Sequence, residues 1–244
     1  MTVHRSSTTA SSAMSPLASF TWSGVRRALG WFAVAVIVGM QAGTIFRPLG
    51  DAGETRVADW IDLITPFAVV GLGALVMYRA GAELWSWAVF AVGAIAFALG
   101  HGLHLAANSI SNAPDPVLKH ADIVHLWDEV VSHYVWYSGL FLVLVGVATA
   151  LRRIDVQPGP LGWVLAALFA VTLVNTYIEG AIPWLGLGFF SAGLVAGVAW
   201  RPAPLTRLLI PIAGSGLLLL VAWGVSWYLV DGRVFPEFSD VGWI

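Results

Sequence analysis

The chain has 244 residues, of which 58% are hydrophobic and 11% charged, with 13 Trp, 12 Phe and a mean hydropathy of +0.81. A soluble domain carries about 25% charged residues, so this chain lacks the polar surface to cover a water-soluble core and reads as an integral membrane protein. A net charge of −2 without a basic run gives no footing for nucleic acid, and the absence of cysteine excludes disulfides, thiolate metal sites, lipoprotein anchoring, c-type haem attachment and a Cys nucleophile.

Residues 1–24 are rich in Ser, Thr and Ala without apolar periodicity and read as a disordered tail. Seven apolar runs come next, at about 28–46, 60–78, 85–106, 126–150, 161–178, 182–200 and 208–230, each near the roughly 20 residues that span a hydrocarbon core. The expected architecture is an all-α bundle of seven transmembrane helices over 25–231, with a short C-terminal tail at 232–244. Pro66 and Pro211 fall inside the second and seventh runs and predict kinks. Gly39/Gly43 and Gly193/Gly197 are GxxxG pairs that predict close helix packing. No internal repeat supports an inverted-repeat transporter.

With the N-terminus inside, eight basic residues (Arg5, Arg26, Arg27, Arg79, Arg152, Arg153, Arg201 and Arg207) are cytoplasmic and four (Arg47, Arg56, Lys119 and Arg233) are outside. The positive-inside rule therefore predicts N-in, C-out. Trp60, Trp127, Trp184 and Trp227 then mark one interface, and Trp31, Trp85, Trp163 and Trp200 the other. A cleaved signal peptide formed by Arg26–Arg27 and the first run is an alternative, but the run is long and lacks an A-x-A site.

The acids are more unequal still. Only Glu83 and Asp155 fall inside, whereas Asp51, Glu54, Asp59, Asp62, Asp115, Asp122, Asp128, Glu129, Glu179, Asp231, Glu237 and Asp240 fall outside, as do His101, His104, His120, His125 and His133. An acidic, His-rich mouth attracts and coordinates cations.

At about 100° per residue, His101, His104, Asn108 and Asn112 share one stripe at the outer end of the third run. His125, Asp128, Glu129, Ser132, His133 and Trp136 share a face of the fourth, and Thr172, Asn175 and Glu179 a face of the fifth. Asp59 and Asp62 open the second. Ionisable groups in a bilayer cost about 2.5–3.5 kcal/mol each on insertion scales, so they turn inward and partner one another. The third and fourth runs, joined by Asn112-Ala113-Pro114-Asp115-Pro116, are expected to be antiparallel neighbours with facing stripes. His101, His104, His125 and His133 then form a candidate N/O site for a divalent metal, zinc first, with iron or copper as alternatives. Asp128 and Glu129 are the candidate catalytic acids and bases. Asn108, Asn112, Ser132, Asn175 and Glu179 are candidates for fixing imidazole tautomers or touching substrate.

Plainer roles stand beside these. The histidines can be packing residues, Asp128 and Glu129 interfacial partners of Lys119 or Arg56, and Glu179 a loop acid in the turn Tyr177–Pro183. Asp59 and Asp62 suit a helix cap and first-turn acid. Tyr134, Trp136 and Tyr137 suit packing or an aromatic belt. His120 lies in a loop near Asp122, and His4 is incidental.

Gly100-His101-Gly102-Leu103-His104-Leu105 followed by Leu126-Trp127-Asp128-Glu129 resembles the alkaline ceramidase pattern, within a superfamily of seven-helix membrane hydrolases that includes the progestin/adiponectin receptors. The resemblance spans about thirty residues. It implies zinc-assisted hydrolysis of a lipid amide, with His104 matching a zinc-binding His and Asp128 the catalytic Asp. The chain departs from the family in lacking H-x-x-x-H in the last helix and the Ser before the first His, and in carrying the motif on its third and fourth helices.

The leading expectation is thus a plasma-membrane metal-dependent hydrolase, its site facing outside, acting on an amphiphilic lipid amide or ester drawn from membrane lipids. A copper, iron or haem oxidoreductase, a cation or proton transporter, and a structural membrane protein remain open. The cytoplasmic halves of the helices carry almost no ionisable residues, which argues against a relay across the membrane.

Overall fold

The computed structural model describes residues 22–111, 120–201 and 203–243. The chain is almost wholly helical, and each apolar run is a helix or a pair of helices. These are α1 (Trp22–Gly39) with α2 (Ala42–Ile45), α3 (Val57–Asp62) with α4 (Thr65–Arg79), α5 (Leu84–Ser111), α6 (Ala121–His125) leading into α7 (His133–Leu151), α8 (Pro160–Glu179), α9 (Pro183–Ala199) and α10 (Thr206–Asp231). Five of the resulting helical stretches, Val57–Arg79, Leu84–Ser111, Ala121–Leu151, Pro160–Glu179 and Thr206–Asp231, are long and apolar enough to cross a membrane. The other two runs form shorter or charge-bearing helices. α9 has 17 residues, and the 18 of α1 include Arg26 and Arg27.

Two local expectations are corrected. α1 begins at Trp22, inside the segment read as a tail; residues 1–21 lie outside the described residues, as do Asn112 and the proline-containing loop after it. Pro66 does not kink a helix. The second run breaks at Leu63–Ile64, and Pro66 sits in the first turn of α4, where its missing N–H would be unpaired anyway. Pro211 is inside α10 as expected. Between α2 and α3 the chain makes a 3-10 turn (Arg47–Leu49) and a two-residue hairpin of β1 (Asp51–Ala52) and β2 (Thr55–Arg56), with Asp51 opposite Arg56.

The most extensive helix contact is between α5 and α7. Its cause is a set of glycines at seven-residue spacing, Gly93 and Gly100 on one helix and Gly139 and Gly146 on the other. A methyl group at Gly100 would fall on the backbone of Trp136, and one at Gly139 on the backbone of Phe97. The two main chains therefore touch directly, as small residues permit in membranes. Of the predicted GxxxG pairs, Gly193 and Gly197 do face α10 and Gly39 faces Thr65, but Gly43 faces open space.

The helices share two ends. Glu83, just before α5, accepts from Arg152 at 3.1 Å and pairs with Arg153, both just after α7. At the other end Glu179, closing α8, accepts the Phe238 N–H beyond α10 at 2.9 Å. We call these the arginine end and the histidine end. The flanks between them expose Ile95, Leu99, Val195, Leu218 and Leu229, a surface suited to hydrocarbon and not to water. Trp60, Trp127 and Trp184 are exposed near the histidine end, and Trp31, Trp85 and Trp163 near the other, as amphipathic rings at membrane interfaces would be.

The glycine contact and the Glu83 cluster can each be tested. Gly100→Ala and Gly139→Ala should each destabilise the purified protein by about 1–3 kcal/mol or more, through forced backbone separation. Gly102→Ala on the open face of α5 should be neutral or stabilising, and thermal unfolding in detergent separates the cases. The Glu83 carboxyl is held below its ordinary pKa by the Trp85 indole N–H and then by Arg153 and Arg152. A depressed carboxyl stabilises the fold above its unfolded pKa and loses that contribution as pH falls. Glu83→Gln should therefore lower the melting midpoint slightly at neutral pH, and the difference should vanish in acid.

Candidate functional site

The glycine contact presses the histidine end of α5 against the start of α7. Between α6 and α7, residues Leu126–Ser132 wind as a π-helix, a wider turn that recurs at functional sites. This stretch carries Asp128, Glu129 and Ser132.

Three imidazoles are engaged here, each through one ring nitrogen. His104 Nδ1 lies 2.8 Å from Asp128 Oδ1, close enough for an ion pair although not aligned as a hydrogen bond, and both atoms are buried without another partner. His101 Nε2 is 3.2 Å from Asp62 Oδ1, which also accepts from Thr65 Oγ1 at 2.7 Å. His133 Nδ1 donates to the Gly180 carbonyl at 3.0 Å, with Glu129 Oε2 at 3.5 Å. Anchoring one nitrogen fixes the tautomer and ring plane and leaves the other available. Their exposure differs. The side chains of His101 and His133 are 1% and 5% exposed, whereas that of His104 is 20% exposed.

Trp136 sits among all three. Its ring centroid is 4.9 Å from that of His101, 5.1 Å from His104 and 6.2 Å from His133. Tyr137 stacks on it at 4.8 Å. Among the described residues, the Trp136 indole Nε1 is buried without a hydrogen-bond partner, as is Thr176 Oγ1 on α8. An unpartnered buried donor costs about 1–3 kcal/mol, so the indole N–H is suited to an acceptor supplied by a bound molecule.

The expected constellation is only partly assembled. His101, His104, His133, Asp128 and Glu129 come together, whereas His125 is exposed and, among the described residues, is joined to the other imidazoles by no ring contact or ion pair. It ends α6, none of whose residues is buried, so the face counted back from His133 runs out at the π segment before it reaches His125. Ser132 does not orient an imidazole; its hydroxyl donates to the Asp128 carbonyl of the preceding turn. Asn175 Nδ2 donates to Gln41 Oε1 at 3.0 Å, away from the histidines. Glu179 is the last helical residue of α8 and caps Phe238, and Asn108 is half-buried on α5. Asp59 is the first-turn acid expected, paired with Arg56 at 2.7 Å and accepting from Ser109. Asp62 is not. It closes α3, is buried, and serves His101. His120 is exposed and His4 and Lys119 lie outside the described residues.

Among the described residues, no group of three or more His, Cys, Asp or Glu side chains is placed to hold a metal ion. The donors are instead divided into separate His–acceptor pairs. Just beyond α10, the Glu237 carboxyl is raised from its ordinary value by burial and then by Asp240, Glu129 and Glu179, which gather acids at this end of the molecule.

Asp62→Ala should cost about 1–3 kcal/mol by stripping His101 and Thr65 of a buried acceptor. His125→Ala should stay within about 0.5 kcal/mol, and chemical denaturation in detergent compares them. No family model, curated protein or solved structure matches the chain.

Proposed function

We propose that this multi-pass membrane protein is a hydrolase of a lipid amide or ester, with His104 as general base and Asp128 as its orienting carboxylate. The observation that carries the reading is the 2.8 Å contact between His104 and Asp128. These are the two residues picked out by the resemblance to alkaline ceramidases, and they lie on different helices. A buried carboxylate against one nitrogen stabilises the imidazolium that forms when the other nitrogen takes a proton. His104 is the most exposed of the three imidazoles, so it is the one a water molecule and an amphiphile reach. The Trp136 indole N–H is placed to donate to the substrate carbonyl or to the oxyanion formed from it.

The site is read as facing outside the plasma membrane, from the arginine bias of the opposite end. Zinc, implied by the resemblance, has no three-residue ligand group among the described residues. The His104–Asp128 pair takes the proton without it.

The test is a screen of lipid amides and esters with detergent-purified protein, with elemental analysis of the same sample. His104→Ala and Asp128→Asn should each lower turnover by about 10²–10⁴-fold while the melting midpoint moves by a few degrees at most. Absence of turnover on every amide and ester tried, or unfolding of both variants without an activity to lose, would leave the pair a packing element. One equivalent of zinc, required for turnover, would restore a metal to the mechanism.

A further inference from the structure

At the arginine end, opposite the histidines, a cavity of about 930 Å³ opens between the halves of α1, α7, α8, α9 and α10. Its wall is apolar, built from side chains such as Phe32, Phe141, Leu165, Ala192 and Ile212. Among the described residues, Arg26 and Arg27 are its only charged lining residues. Both are exposed, and among the described residues neither has a carboxylate partner. Three other arginines at this end are paired. Arg152 and Arg153 share Glu83, and Arg207 lies 3.8 Å from Asp155.

We propose that this cavity binds an anionic phospholipid from the leaflet at the arginine end, with an acyl chain between the helices and the phosphate on Arg26 and Arg27. The volume lies within the roughly 300–1,000 Å³ of small-molecule sites. Inside a bilayer, an apolar recess of this size is filled most readily by hydrocarbon. Guanidinium groups hold phosphate oxygens through paired N–H donors, and basic pockets between transmembrane helices are where anionic headgroups settle. Charge at the rim and hydrocarbon in the wall together specify an amphiphile with a negative head. A neutral lipid would leave both cations unanswered. This site is independent of the hydrolase reading, and none of its lining residues belongs to the histidine cluster.

The test titrates full-length protein in a neutral maltoside with phosphatidylglycerol or with phosphatidylcholine of the same chains, reading the melting midpoint. Phosphatidylglycerol should raise the midpoint well beyond phosphatidylcholine. Arg26→Gln combined with Arg27→Gln should weaken the apparent phosphatidylglycerol affinity roughly thirtyfold, at roughly fivefold per arginine. Arg79→Gln and Arg201→Gln, exposed at the same end but outside the cavity wall, should keep the preference. Ala192→Phe and Leu165→Trp, which crowd the cavity, should weaken binding with both arginines intact. Equal stabilisation by the two lipids would overturn the proposal. So would a preference that survives the double arginine variant, or undiminished binding in the folded cavity variants.

Discussion

The direct contact of two main chains, α5 on α7, is the constraint on which the other arrangements depend. In a bilayer there is no hydrophobic gain in moving a helix from lipid to protein, so association rests on packing at close range and on polar pairs. Gly100 and Gly139 supply the first. Because Gly100 is next to His101 and four residues before His104, the same contact that seats the helices also delivers the imidazoles to Asp128, His133 and Trp136. Packing and site are thus one arrangement. A side chain at either glycine would separate the helices and the polar pairs together.

The polar groups obey a second constraint, the cost of leaving any of them alone in hydrocarbon. Asp62, Asp128 and the Gly180 carbonyl each take one imidazole, and no imidazole depends on a solvent-exposed partner alone. That distribution differs from a shared ligand sphere. It gives each ring its own acceptor at the expense of convergence on one point. The charged rim at the opposite end belongs to another environment, the headgroup layer, where exposed arginines are at home.

Composition and hydrophobic periodicity made the helical architecture legible, since nothing but helices can satisfy a backbone across such apolar runs. The juxtaposition of His104 with Asp128 is legible too, from facing stripes on consecutive runs, and that of Glu129 with His133 from their four-residue spacing on one run. Features that depend on departures from regular winding or on distant partners escaped. Counting at α-helical pitch groups His125 with His133, but α6, which ends at His125, has no buried residue and stays outside the packed interface. Asp62 looked like a helix-start acid because the break at Leu63–Ile64, which makes it a helix end, is hidden within a continuous apolar run. The main glycine contact escaped because its spacing is seven residues, two helical turns, and not the four of GxxxG. Trp136 was legible as an interior aromatic, but its unpartnered indole appears only when the surrounding rings are in place.

The π segment also uncouples the connection on its N-terminal side from the helix on its C-terminal side. A regular helix transmits rotation rigidly along its axis, so a residue gained or lost before α7 would swing every downstream side chain by a full step. A wide turn is able to take up such a change locally by tightening or loosening. A change of winding in the turn that carries Asp128 is therefore absorbed before α7 begins, while the glycine contact holds the register of His133 and Trp136 against α5, and the segment acts as an expansion joint between the two.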